Sequence, residues 1–265
     1  MERGIEYRCD AIQVFNQSPR MWRPTRYGPK DFEAFREAMD ASRIEVVVIH
    51  AVYLINCATA DGELRRKSLE SLVHALRIGD GIGASGVVLH SGAAKGDPVD
   101  VALKRACGVI SAALDETESC DLLLENTAGS TGLLGRDVGE LAELLERAGG
   151  GSRLGICLDS CHLFGSGYDV RDAETLAALL DELDAEVGID RLRCLHVNDS
   201  AVALGANRDR HATMGDGELG AAGLGTFLSE PRFEGLPAIL ETKLDRKQVE
   251  KARRYRKRGL ERRGA

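Results

Sequence analysis

Six short apolar runs in this 265-residue chain each end in a side chain able to bind a metal ion: His50, His90, Glu125, Asp159, His196 and Glu241. A single histidine in such a place is usually a hydrogen-bonded core residue. Six such endings in succession point to a shared task. Carboxylates gathered at one place repel one another unless a cation lies among them. Two further spacings extend the set. Asp159 and His162 are spaced D-x-x-H, and Asp209 and His211 are spaced D-x-H within the loop 198–217. On an extended loop, residues two apart point to the same side. The result is nine nitrogen and oxygen ligands with no cysteine among them. Imidazole plus carboxylate suits Zn2+, with Mn2+ or iron as substitutes. Nine ligands are too many for one ion and suit about three, if one carboxylate bridges.

The runs that position these residues are 10–15 (DAIQVF), 45–50 (EVVVIH), 86–90 (GVVLH), 121–126 (DLLLEN), 154–159 (LGICLD), 192–197 (LRCLHV) and 237–242 (PAILET). Most are nearly continuous in apolar residues, which is how a strand buried on both faces of a parallel sheet reads. Amphipathic stretches alternate with them. Phe32, Phe35 and Met39 recur at helical spacing in 31–41, as do Leu64, Leu69, Leu72 and Leu76 in 64–78. The segments 99–114, 137–148, 173–187 and 245–258 behave similarly. Glycine-rich turns at 79–86 and 149–151 lead back into strands. Repeated strand–helix units of this kind predict an α/β fold, a TIM (β/α)8-type barrel with seven of its eight strands visible, as one domain over 1–265. Barrel active sites form at the carboxyl ends of the strands, where the six endings lie. Residues 2–7 read as the end of a first helix. The expectation is that the written start lies downstream of the natural one, by roughly 20 residues compared with a complete barrel.

The segments LLLENTAG (122–129), GICLDSCHLFGSGYD (155–169), HVNDS (196–200), DRH (209–211) followed by GDGELG (215–220), and ILET (239–242) resemble endonuclease IV. That family comprises TIM-barrel apurinic/apyrimidinic endonucleases with a trinuclear zinc site, and the resemblance runs from about Asp10 to about Thr242. It implies that His50, His90 and Glu125 hold a first zinc, and that Glu125 bridges to a second completed by Asp159, His196 and Glu241. It implies that His162, Asp209 and His211 hold a third. Arg20 (in NQSPRMW) and Tyr53 and Leu54 (in HAVYLIN) fall where the family inserts side chains at the lesion. The implied activity is base excision repair on double-stranded DNA by a monomer. The phosphodiester 5′ to an abasic site is hydrolysed, leaving a 3′-hydroxyl and a 5′-deoxyribose phosphate, and blocked 3′ ends are trimmed. Glu125 is the expected catalytic residue, through its bridge. Arg208, Arg210, Lys95 and Lys243 are candidates for gripping phosphates.

Bulk composition fits this reading once its distribution is considered. The net charge is −7, but from Lys243 onward eleven Lys or Arg face three Asp or Glu, a net of +8, so the remainder carries −15. Metal ions neutralise part of that acidity, and a local basic rim serves a polyanion. No apolar run approaches the roughly 20 residues of a membrane span. The opening MERGIEYRCD has no apolar signal region. Seven cysteines, an odd number with no C-x-x-C pair, read as reduced thiols in a cytoplasmic protein. Cys157 and Cys161 flank Asp159 without an identifiable base partner, and His74, in mid-helix, reads as structural or solvent-facing. Two other readings differ in class. One is a metal-dependent sugar isomerase or epimerase on a similar barrel, against which the DRH loop and His162 weigh. The other is a non-catalytic relic that binds damaged DNA or zinc.

Overall fold

A computed structural model describes residues 1–130, 132–242 and 245–264. The chain forms two compact units, Met1–Glu125 with Gly132–Gly135 and Glu140–Ile156, and Asn126–Thr131 with Arg136–Gly139 and Cys157–Ala265.

In the first unit the order is α1 (Glu2–Glu6), β1 (Ala11–Phe15), α2 (Pro29–Asp40), β2 (Val46–His50), α3 (Gly62–Ile82), β3 (Gly86–Leu89), α4 (Val99–Asp115) and β4 (Leu122–Glu125). Most of α5 (Val138–Arg147) and the first half of β5 (Leu154–Asp159) follow. The strands β1 to β4 lie side by side in chain order and run parallel. The β-branched and leucine runs are fully enclosed: Val47, Val48, Ile49, Val87, Val88, Leu122 and Leu124 are all 0% exposed. Helix α3 begins where the Asp61 carboxylate accepts the Glu63 and Leu64 N–H groups. It ends at Gly83, in the left-handed region at φ +69° that a side chain would strain. Most of the seven runs read as enclosed on both faces, but β1 is half-buried and Phe15 is 38% exposed. Among the described residues β1 stands at the end of the strand order, paired with β2.

The second unit carries the end of β5, then α6 (Ser160–Ser166), α7 (Ala173–Val187), β6 (Leu192–His196), β7 (Asp199–Ser200), β8 (His211–Ala212), α8 (Gly220–Leu228), β9 (Ala238–Ile239) and α9 (Arg246–Arg263). Strand β6 lies between β5 and β9 and runs parallel to β9, while β7 and β8 form a short antiparallel hairpin. The basic C-terminal stretch forms a docked helix. Tyr255 and Gly259 of α9 are buried, and a methyl group at Gly259 would overlap the Gly225 carbonyl oxygen of α8. Part of its charge is taken up by local partners, with Arg256 paired to Glu234 and Arg263 to Glu230. Among the described residues no helix is long and apolar enough to cross a membrane.

Candidate metal centre

Strands β2, β4, β5 and β6 end on His50, Glu125, Asp159 and His196. His90 follows β3 by one residue, and Glu241 follows β9 by two. The register pairs Leu89 with Leu124, so the next residues, His90 and Glu125, stand level at the strand ends.

In the first unit, His50 Nδ1 lies 2.6 Å from the Ala51 carbonyl oxygen. A carbonyl only accepts, so Nδ1 carries the proton and donates it. The other ring nitrogen, Nε2, faces Glu125, 3.5 Å from Oε2. His90 Nε2 is 3.2 Å from the same oxygen. Glu125 is 0% exposed, and where the two Nε2 atoms carry no proton their lone pairs and the carboxylate repel one another. A cation among them turns repulsion into attraction. The spacing suits one. Two ligands about 2.0–2.1 Å from a tetrahedral zinc stand about 3.3 Å apart.

The second unit repeats that spacing. His196 Nδ1 is 3.3 Å from Glu241 Oε2, and the ligand atoms of Asp159, His196 and Glu241 lie within 4.8 Å of one another. The Asp209 carboxylate stands 3.4 Å from His162 Nε2 through one oxygen and 3.2 Å from His211 Nε2 through the other. His162 Nδ1 is 3.0 Å from the Asn126 carbonyl oxygen, so it donates there and leaves Nε2 as the ligand atom. Asp159 caps α6, accepting the backbone N–H of His162 at 2.8 Å. Thus the D-x-x-H spacing is one turn of a helix that the aspartate itself starts. The D-x-H pair sits at the mouth of the β7–β8 hairpin.

Three residues that hold these ligands escaped the sequence reading. Asn198 donates through Nδ2 to both Asp159 Oδ2 and Glu241 Oε2, and accepts the Glu241 N–H at 2.9 Å. Asn126 accepts the Asp159 N–H at 2.7 Å through its side chain. Asp199, wholly buried, accepts backbone N–H groups from Ser200, Gly215, Gly217, Leu219 and Gly220. It thereby ties down both ends of the loop that carries Asp209 and His211. All three lie inside the quoted LLLEN and HVNDS segments, so polar residues beside an expected ligand were the available signal.

The expected DNA-facing residues divide. Tyr53 is 59% exposed and stands edge-on to His50, with ring centroids 5.2 Å apart, while Phe15 lies 5.5 Å from both rings. Leu54, beside it, is half-buried. The Tyr53 N–H reaches the Pro19 carbonyl at 3.2 Å, which joins the HAVYLIN loop to the loop of Arg20. Arg20, Lys95, Arg208 and Arg210 lie at least partly in solvent. Arg210 donates to the Asp209 carbonyl at 2.8 Å, beside the hairpin ligands. Among the described residues no hydrogen bond or ion pair ties Arg20, Lys95 or Arg208 to a ligand, and Lys243 lies outside the described residues. His74 has a structural partner. Thr25 donates its hydroxyl proton to the Asn16 carbonyl and so accepts from His74 Nε2 at 3.1 Å, which clamps the Arg20 loop to α3. Burial, aided by Arg77, holds the His74 pKa below its ordinary value and keeps it neutral for this role.

Burial leaves four of the cysteines poor nucleophiles. None of the seven is in a disulfide, and burial pushes the thiols of Cys57, Cys120 and Cys161 up to about 12 and that of Cys107 to about 11. Thiols so shifted stay protonated at neutral pH.

Known proteins share this architecture and these segments. The sequence profile of xylose isomerase-like TIM barrels matches residues 5–260. A Geotalea daltonii protein named probable endonuclease 4 is 37% identical over 247 residues, which covers 91% of this chain and 85% of that protein. The solved structure of endonuclease IV from Thermus thermophilus superposes with a TM-score of 0.84 at 36% identity, over 98% of this chain and 93% of that one. A D-tagatose 3-epimerase-like structure reaches a TM-score of 0.74 at 20% identity over 98% of this chain and 92% of its own, a likeness of fold alone. Family profile and relatives together establish that the chain belongs to the endonuclease IV family, on the xylose isomerase-like TIM-barrel fold.

Proposed function

We propose that the protein is a zinc-dependent endonuclease of base excision repair that hydrolyses the phosphodiester 5′ to abasic sites in double-stranded DNA, leaving a 3′-hydroxyl and a 5′-deoxyribose phosphate, and that also trims blocked 3′ ends. The observation that carries the reading is the recurring ligand spacing of 3.2–3.5 Å at five nitrogen–oxygen pairs, involving His50, His90, His162, His196 and His211. His50, His90 and Glu125 would hold one ion. Asp159, His196 and Glu241 would hold a second, with Glu125 as the bridge, and His162, Asp209 and His211 a third. Zn2+, with Mn2+ or iron as substitutes, supplies when bound the Lewis acidity that phosphodiester hydrolysis at neutral pH requires.

The remaining work falls to this chain's own side chains. Asn198 fixes the angle at which Asp159 and Glu241 present their oxygens. The Ala51 and Asn126 carbonyls set the tautomers of His50 and His162. Tyr53 and Leu54 would fill the gap left by a missing base, a place where unstacking costs least. Arg20 would enter from the neighbouring loop, and Arg208 and Arg210 would hold backbone phosphates. In this reading the protein acts as a monomer in the cytoplasm.

Two expected results follow. Replacing Tyr53 with alanine weakens binding to duplex containing an abasic site more than binding to intact duplex, because a wedge acts only where a gap exists. Equal losses on both DNAs in a salt-matched titration would make Tyr53 a packing residue. His211→Ala lowers the zinc content from about three per chain toward two, measured by elemental analysis. Unchanged stoichiometry would remove His211 from the third set.

The sugar isomerase or epimerase reading is separated by offering the metal-loaded protein keto-sugars and abasic duplex in parallel. Turnover of the duplex alone supports the endonuclease, and turnover of the sugar alone overturns it.

A further inference from the structure

Beneath the second unit's oxygen and nitrogen ligands lies a layer of sulfur. Side chains alternate along a strand, so Cys157 shares a face with Asp159 on β5, and Cys194 shares a face with His196 on β6. These strands are neighbours in the sheet. Cys157, Cys194 and His196 are each 0% exposed, and one ligand atom from each lies within 4.8 Å of the others. His196 therefore belongs to two groups at once. Above it stand two carboxylates, Asp159 and Glu241, and below it two thiols. In a tetrahedral zinc site two sulfurs at about 2.3 Å from the ion stand about 3.8 Å apart, inside the observed bound.

From this arrangement we infer that Cys157, Cys194 and His196 form a second, sulfur-rich metal site that takes a thiophilic divalent cation, and that filling it withdraws His196 from Asp159 and Glu241. The chemistry balances without any further group. Two thiol protons leave to solvent as two metal–sulfur bonds form, and the imidazole lone pair supplies the third bond. The dication and two thiolates sum to zero charge, which a fully buried pocket tolerates far better than a net charge. A hard cation favours the carboxylates above, whereas a soft one favours the sulfurs below. One histidine serves both, so the two occupancies compete. The site rests on these three side chains and holds whether or not the chain cuts DNA.

The test uses the 265-residue, metal-stripped protein titrated with Cd2+ alone, with no nucleic acid present. The expected result is a sulfur-to-cadmium charge-transfer absorption in the ultraviolet that saturates at one equivalent. The absorption is lost in the Cys157→Ala/Cys194→Ala variant and kept in Cys161→Ala, the control for the other buried thiol near Asp159 and His211. Bound cadmium without the absorption in the parent, or an undiminished absorption in the double variant, overturns the proposal. Cadmium-113 NMR of the parent needs no variant at all. A resonance in the sulfur-ligated range supports the site, and resonances confined to the oxygen- and nitrogen-ligated range refute it. Because neither readout involves hydrolysis, failure here is separate from failure of the endonuclease reading.

Discussion

Glu125→Gln is expected to keep the fold and lower incision of abasic duplex by at least about 100-fold, since losing a mere hydrogen-bonding partner of a metal ligand already costs about 10–100-fold. Glutamine matches the shape of glutamate, and the side chain is 0% exposed at the end of β4, so packing is conserved. What disappears is the charge that both His50 Nε2 and His90 Nε2 approach through one oxygen, at 3.5 and 3.2 Å. The amide is a poor ligand and cannot bridge two cations as a carboxylate does. A second readout separates this from general damage. Burying an ionised carboxylate without a cation costs several kcal/mol. The metal-free variant should therefore melt no lower than the metal-free parent, while zinc should raise the parent's melting temperature by more than the variant's. Incision within tenfold of the parent would remove Glu125 from the bridge.

The second large effect is on the loop that carries Asp209 and His211. Asp199→Ala is expected to destabilise the protein by about 3–5 kcal/mol, because several buried backbone N–H groups lose one charged acceptor at once. The carboxylate has no solvent contact and accepts five backbone N–H groups, at 2.9 to 3.3 Å, from Ser200, Gly215, Gly217, Leu219 and Gly220. Hydrogen bonds to a charge are worth about 1.5–3 kcal/mol each, and the loop recovers part of the loss by reaching water. For a chain of this size that corresponds to a fall in melting temperature of roughly 10 °C. Zinc content should fall as well, because β8 begins at His211 and depends on the anchored loop. A melting temperature within about 2 °C of the parent would mean that the loop holds itself, and that Asp199 is not its anchor.

The contrast between Glu125 and Asp199 shows what was legible in the sequence. Glu125 ends a run of three leucines, LLLE, so the change from apolar to acidic was visible in one dimension. The same holds for His50 after VVVI and for Asp159 after LGICL, and all seven apolar runs fold as strands. Asp199, Asn198 and Asn126 act through partners up to 43 residues away. A sequence carries no mark of which distant N–H groups a buried carboxylate will collect. Short helices were equally opaque. Helix α8, GAAGLGTFL, holds three glycines, and helix propensity argues against it. It packs where Gly259 of α9, lacking a side chain, admits the Gly225 carbonyl, a contact that only packing defines. The basic run after residue 245 illustrates the converse. Its charges were countable in the sequence, but their pairing with Glu230 and Glu234 required the fold.

The most direct test of the central claim is a nicking assay on a duplex with one abasic site, run on metal-stripped protein before and after zinc is restored, with the product ends and bound zinc determined together. The account predicts no cleavage without metal. With about three zinc ions per chain restored, it predicts a single cut 5′ to the lesion, with a 3′-hydroxyl that a polymerase extends. Cleavage by the metal-free protein, or a zinc-loaded protein that binds the abasic duplex and leaves it intact, would contradict it.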